Sequence, residues 1–485
     1  MSTVSLLPVY IVLVSLVAII PIVLSRKSQN LREFWTFVAG FLKVGLVFSM
    51  LPWILKGNIL QYTFFEILPG VSFGFKVDGL GMLFAMVAST LWIVTSLYSI
   101  GYMRGLKEHA QTRFFAFFSL SLSATLAVAF SANLFTLYVF YEILSLSTYP
   151  LVTHHQGKDA KSGGRRYLTY LLGTSIGFAL PAIIITYSLT GSLDFSSQGL
   201  FVGQDLGVML PILLLLFMYG FGKAGLMPLH AWLPGAMVAP TPVSSLLHAV
   251  AVVKVGVFCV IRVITGVFGT SYLTTMGMVP LICFVAGFTV ITASLIALYQ
   301  DSLKRRLAFS TVGQLAYIIL GVGLCTELGV IGGTSHIVMH AFGKITLFFC
   351  AGAIYVATSK KNISDMAGLG RKMPYTFAAF FLGSLSVIGL PISGGIVSKW
   401  YMLNGAMQAN LFPVVIVYLV SSFLNACYFL PIVYNAFFKD VDYSKKVAIK
   451  EAPLACVIPP VITAVVSVCL FFKADVFLAL ARLIL

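Results

Sequence analysis

The sequence predicts an all-α polytopic membrane protein of about 14 transmembrane helices. Within it we expect two inverted five-helix repeats, each containing a broken helix. Three observations lead there. Hydrophobic residues make up 59% of the chain and charged residues only 9%, too few polar groups to cover a water-facing surface. The apolar runs are long and unbroken, unlike the alternating segments of a membrane β-barrel. The charges gather in short connections between those runs.

Taken in order, the candidate spans centre near Leu16, Val44, Val87, Leu120, Tyr138, Ile176, Leu215, Val253, Val285, Leu315, His340, Ser384, Val417 and Val465. The first is not a cleaved signal, because its positive charges, Arg26 and Lys27, follow it rather than precede it. Four regions result: helices 1–3 in residues 1–112, a first repeat in 113–266, a second in 278–438, and a last helix in 439–485.

The formal net charge of +16 is not a nucleic-acid signal, because of where it sits. The connections after odd-numbered spans hold most of the lysines and arginines, from Arg26 and Arg32 through Arg104, Lys158, Arg166, Lys304, Lys360 and Arg371 to Lys445, Lys446 and Lys450. The other side and the chain ends hold only Lys56, Lys76, Lys473 and Arg482. The positive-inside rule then places the odd connections in the cytoplasm and both termini outside, in a multi-pass protein of the cell's inner membrane. The seven cysteines fall almost wholly in apolar stretches and form no CxxC, so we expect no disulfide, metal site or other cofactor.

Six cations remain, within or near apolar spans: Lys43, Lys223, Lys254, Arg262, Lys344 and Lys399. A charge at the bilayer centre costs at least roughly 2.5–3.5 kcal/mol on insertion scales. Lys43 and Arg262 are read as snorkelling to a nearby interface. The other four have apolar sequence on both sides and are read as functional. Of the 15 acids only Glu142 lies deep in a span, in FTLYVFYEILSLSTYPL. A buried carboxylate needs a partner, and a lysine pair is expected, either purely structural or half of a proton relay.

In SHIVMHAFGKITLFF, His336, His340 and Lys344 recur every fourth residue and share one helix face. No acid adjoins the histidines and the residues between are apolar, so the row reads as water-bridged proton sites rather than a metal site. His248 lies six residues before Lys254, about 120° round a regular helix. His230 joins the proton-transfer candidates. Two spans look interrupted, at YGFGKAGLMPLHAWLPGAMVAPTP and VIGLPISGGIVSKW. Glycine and proline at this density break the hydrogen-bond ladder, and irregular backbone survives in a membrane only where protein covers it or it lines a watery cavity.

These stretches, with FKVDGLGMLF, DSLKRRLAFSTVGQLAY and HIVMHAFGKITLFFCAGAI, resemble the large antiporter-like subunits shared by respiratory complex I, energy-converting membrane hydrogenases and Mrp-type sodium/proton antiporters. The resemblance implies a proton path through the middle of the membrane. By motif, Glu142 matches the glutamate of the family's fifth span and Lys223 its partner in the broken seventh. Lys254 matches the central lysine of the eighth, with His248 beside it. Lys344, with His336 and His340, matches the eleventh-span motif, and Lys399 the terminal ionisable residue of the broken twelfth. The chain ends after its fourteenth span with no lateral helix, which implies a D-, M- or N-type subunit. Gly235, where many relatives carry an acid after WLP, leans toward the Mrp D-type and hydrogenase-associated branch, while the histidine of HAVAVVK is kept from the other types.

The expected function is proton translocation within a multi-subunit membrane complex, with other membrane subunits, protons and the lipid bilayer as partners. The alternative is sodium/proton exchange in an Mrp-type assembly. No bond-breaking site is read in the chain itself, which leaves it as either an antiporter component or a subunit of a redox-driven oxidoreductase. An intramembrane transferase would need a nucleophile or paired acids, and neither GxSxG nor such a pair is present. An inert scaffold would not be expected to keep four intramembrane lysines.

Overall fold

The computed structural model describes residues 2–246, 250–439 and 450–485. His248, Lys445 and Lys446 lie outside the described residues. Among the described residues, eleven helices are long and apolar enough to cross a membrane, and Met209–Gly220 and Pro374–Ile388 are shorter apolar helices. Every predicted span centre falls in a helical segment.

Glu327–Thr358 is the axis of the bundle. Its 32 residues extend roughly 48 Å at ~1.5 Å per residue, well over the ~30 Å of a hydrocarbon core. It is buried along its whole apolar length, so it is sheathed by its neighbours rather than by lipid. Leu7–Leu24, Gln29–Ile54, Lys158–Thr190 and Phe412–Phe438 are the outer helices, with most of their apolar surface facing outward. Small polar side chains enter this interior by donating to the carbonyl one turn back, as Ser89 does to Ala85 (2.7 Å) and Thr95 to Leu91 (2.7 Å).

Three strands add to the helices, where the sequence reading expects only a connection between spans. β1 (Ser2–Val4) runs parallel to β2 (Ile59–Leu68), which pairs antiparallel with β3 (Val71–Val77). Leu68 pairs with Val71, leaving Pro69–Gly70 as a two-residue turn. Gly70 has φ +75°, where a side chain would be strained.

The two ends of the bundle differ in chemistry. One end carries this sheet, bridges from Phe75 to Ser131 and from Asn133 to Asp194, and Leu480 packed against Gly79. The N-terminal strand and the C-terminal helix Asp475–Arg482 therefore lie at the same end. The other end carries the basic connections. There Arg104 pairs with Glu33, Arg113 donates to the His154 carbonyl (2.9 Å), and Ser302 bridges to Asn362.

Two readings of intramembrane cations are corrected. Lys43 does not snorkel. It is wholly buried, with Nζ 2.5 Å from Ser15 Oγ and 5.4 Å from the centroid of Trp92. Nor does Arg262 reach for water. Its guanidinium forks onto both oxygens of Asp78, with Nη2 to Oδ1 at 2.7 Å. The same Asp78 caps the helix Gly79–Gly105 by accepting from Gly81 N–H (2.9 Å). Depth in the sequence tells where these cations lie along the membrane normal. It does not tell which neighbours they face.

Candidate functional site: a buried line of lysines and histidines

Both interrupted helices are broken where the sequence places the breaks. The helix Met209–Gly220 ends at Phe221, a short 3-10 turn Gly222–Ala224 carries Lys223, and Gly225 turns left-handed at φ +69°. Side chains brace the irregular stretch: Trp232 Nε1 donates to the Gly222 carbonyl (3.0 Å) and Tyr219 Oη to the Met227 carbonyl (3.0 Å). A Cβ on Gly256 would stand 2.1 Å from Ala224 N, so only glycine lets the helix Val252–Arg262 approach the break this closely. In the second case Pro374–Ile388 stops at Gly389 (φ +86°), and Gly394–Gln408 resumes after it.

Lys223 is wholly buried. Its Nζ donates to the Tyr141 carbonyl (2.7 Å) and to Ser145 Oγ (2.6 Å), both on the helix Leu134–Val152 that carries Glu142. The expected contact between Lys223 and Glu142 is not closed: the two form no ion pair within 4.0 Å. Both carboxylate oxygens of Glu142 are shielded and make no close hydrogen bond; the polar side chain that bears on them is Ser175. The physical reason lies on one helix. A carbonyl and a hydroxyl flanking Glu142 satisfy the ammonium in its place, and Lys223 stays within electrostatic reach of the carboxylate.

Lys254 projects from Val252–Arg262 and meets His340 of the axial helix, Nζ to Nδ1 at 2.5 Å. With Nδ1 accepting, the ring proton sits on Nε2 by assignment, and that nitrogen is buried without a partner. His336, one turn earlier, stacks on His340 with ring centroids 5.8 Å apart. Its Nε2 lies 2.9 Å from Gln314 Oε1 and its Nδ1 2.7 Å from Ser398 Oγ. Lys344, one turn later, donates to Ser310 Oγ (2.7 Å), which also accepts from Tyr428 Oη (3.0 Å).

Lys399 ends the line. Its Nζ donates to the Val387 and Ile388 carbonyls, each at 2.9 Å, and to Ser422 Oγ at 3.2 Å, and sits 4.6 Å from the Tyr317 ring centroid. Those carbonyls are freed by the break at Gly389, so a lysine satisfies the negative end of the half-helix. His230 lies apart from this line. It lines a cavity of about 450 Å³ with Asp159, Arg166 and Arg305, at the basic end of the bundle, and its Nδ1 is buried without a partner.

The structure therefore gathers Lys254, His336, His340, Lys344 and Lys399 around the axial helix, sets Lys223 of the turn Gly222–Ala224 against the helix Leu134–Val152 that carries Glu142, and leaves His230 at a mouth. Sequence reasoning missed Tyr141, Ser145, Ser310, Gln314, Ser398 and Ser422, which join the charged groups. Their hydroxyl and amide side chains are common in membrane helices and carry no spacing signal of their own.

Residues 131–425 match the family described as NADH:quinone oxidoreductase/Mrp antiporter, TM. The chain belongs to this family. Residues 69–115 match a second description, NADH-ubiquinone oxidoreductase (complex I), chain 5 N-terminus. The NADH-quinone oxidoreductase subunit N of Desulforudis audaxviator is 32% identical over 454 residues, covering 89% of this chain and 87% of that one. A Na(+)/H(+) antiporter protein of Alkalihalophilus pseudofirmus is 33% identical over 430 residues, covering 81% of this chain but 51% of that protein. The chain thus spans most of the first relative and about half of the second. Among solved structures, a chain of the Mrp complex from Dietzia superposes with a TM-score of 0.87 at 20% identity, covering 99% of this chain and 96% of that one. A chain of the membrane-bound sulfane sulfur reductase, an archaeal respiratory complex, gives 0.87 at 22% identity, covering 99% and 97%.

Proposed function

We propose that the chain is a proton-translocating subunit of a multi-subunit membrane complex. The observation that carries this reading is the Lys254–His340 contact. It joins a helix of the region 113–266 to a helix of the region 278–438, the two five-helix repeats we assign to the fold. Protons enter near His230 at the basic end. They pass between Lys223 and Lys254, cross to His340, and run along His336 and Lys344 toward Lys399. Lys254 and His340 are in direct contact and His340 stacks on His336; the remaining transfers run through hydroxyls and water. His248 belongs to this path by motif.

Glu142 biases the entry. When Lys223 swings onto the carboxylate, the ammonium gains a counter-charge and holds its proton. When it withdraws to Tyr141 and Ser145, that counter-charge is lost and release is favoured. The broken helix is what permits such movement, since its backbone is already free of a continuous ladder. The chain's own residues break no covalent bond. If the complex is redox-driven, its electrons travel in a different subunit.

We place the basic end in the cytoplasm and both termini outside, on the positive-inside rule. The second reading, sodium/proton exchange in an Mrp-type assembly, is favoured by the 33% identical antiporter relative and by Gly235 after WLP. Vesicles carrying the purified complex separate the two. Proton movement driven by an electron donor and indifferent to sodium supports a redox pump. Proton efflux driven by an imposed sodium gradient supports the exchanger. Neither flux, from an intact complex, overturns proton translocation.

A further inference from the structure

Away from the buried row, two connections at the basic end bring four metal-binding side chains together. Glu108 and His109 lie between the helices Gly79–Gly105 and Gln111–Ala129, and His154 and His155 follow the helix Leu134–Val152. Glu108 Oε2 stands 3.6 Å from His155 Nδ1 and 3.9 Å from both His109 Nδ1 and His154 Nε2. Ligand atoms of Glu108, His109 and His154 all lie within 4.8 Å of one another. The imidazoles crowd together, with centroids of His109 and His154 4.8 Å apart and those of His154 and His155 5.6 Å apart.

His154 supplies an independent observation. Its side chain is fully buried, and its ring nitrogens make no close hydrogen bond, with only the His109 backbone bearing on them. A buried polar ring left unmatched carries a desolvation cost that a ligand removes. His109 and His155 are about half exposed, so the cluster opens to water on one side. Both connections are held before any ligand arrives. Gln111 Nε2 donates to the Glu108 carbonyl (3.1 Å), and Arg113 Nη2 to the His154 carbonyl (2.9 Å).

We propose that Glu108, His109, His154 and His155 form a binding site for a zinc-like divalent cation. Three imidazoles and one carboxylate match the ligand preferences of zinc, whereas magnesium and calcium require oxygen-rich shells. With ligands at ~2.0–2.1 Å in a tetrahedron, donor atoms stand about 3.3 Å apart, so Glu108 closes on the histidines by a few tenths of an ångström while the widest pair, within 4.8 Å now, draws in by up to about 1.5 Å through side-chain rotation. Glu108 brings the one negative charge to an end of the molecule where Arg113, Lys304 and Lys361 bear on the histidines. It is therefore a needed ligand rather than a spectator. An occupied site ties the end of the Glu142 helix to the connection after Gly79–Gly105.

The test uses the full chain in its complex, purified with a tag other than polyhistidine and stripped with a chelator. Zinc is titrated against a chromophoric competitor, and cobalt is added separately for its absorption spectrum. The expected result is one zinc per chain and the visible spectrum of four-coordinate cobalt bound by nitrogen and oxygen. Glu108→Gln, His109→Gln and His155→Gln should each weaken zinc by at least about tenfold, the scale reached even when groups behind a ligand are disturbed. His109 and His155 are about half exposed, so their replacement spares the fold; Glu108 is mostly buried, and its variant is read only where assembly on native gels is normal. Failure to bind zinc overturns the proposal. So does unchanged binding in the His109→Gln/His155→Gln double variant, which would move the ion to histidines elsewhere.

Discussion

Lys254 Nζ and His340 Nδ1 meet at 2.5 Å across the middle of the bundle, and the remaining ring nitrogen of His340 is buried without a partner. A fully satisfied imidazole would bond at both nitrogens. This one leaves the far nitrogen open beside a stacked histidine, where the proposed path hands a proton on.

His340→Phe should keep the ring volume and the packing on His336 but remove the acceptor. The complex should assemble at normal levels on native gels while proton transport in vesicles falls by at least about tenfold, within the range general acid–base groups contribute. Transport within twofold of the parent would exclude His340 from the path.

Glu142 and Lys223 make opposing forecasts for a switch and for a static pair. If the pair is only structural, Glu142→Gln should harm folding, and Glu142→Gln with Lys223→Met should restore both stability and transport. The open geometry between them favours the switch. Glu142→Gln should then lose transport, and the double variant should assemble with transport still lost. Native-gel band intensity together with vesicle transport reads both quantities.

The Arg262–Asp78 fork is a separate, purely structural expectation. Removing one partner of a partly buried pair leaves the other charge short of a counter-ion, and Asp78 also caps a helix. Arg262→Met should therefore lower the thermal unfolding midpoint of the purified protein more than Asp78→Asn with Arg262→Met does. An equal or smaller drop for the single variant would mean that the pair is not a buried charge pair in the membrane.

Orientation follows from charge placement alone and is open to direct labelling. Single cysteines near Asp194 and near either terminus should react with an impermeant reagent from outside. Cysteines at Asp159 and Asp365 should react only after the membrane is opened. The reverse pattern would invert the direction of the proposed proton path.

The helical part of this fold is legible because apolar length and loop charge are local properties. Both breaks are legible too, since Gly-Lys-Ala-Gly before a proline and Leu-Pro-Ile-Ser-Gly-Gly cannot continue a helix. The hairpin Ile59–Val77 carries a weaker signal: Pro69–Gly70 separates two runs rich in aromatic residues, yet between two long apolar spans such a stretch passes for a simple connection. Asp78 and Arg262 lie 184 positions apart, and no local signal joins them. The same holds for His109 and His154, which meet only because two connections pack at one end. For Lys43, position along the chain tells its depth in the membrane. Only the packing of Ser15 and Trp92 shows that its charge faces inward.

In the proposed path, proton transfer through Lys254 is the step on which the rest depends. Lys254→Met keeps a long apolar side chain at a wholly buried position and removes the titrating group. The decisive measurement is proton transport by the purified complex in sealed vesicles, normalised to the amount assembled. We predict normal assembly with transport at background. Normal assembly with normal transport would contradict a relay through this lysine.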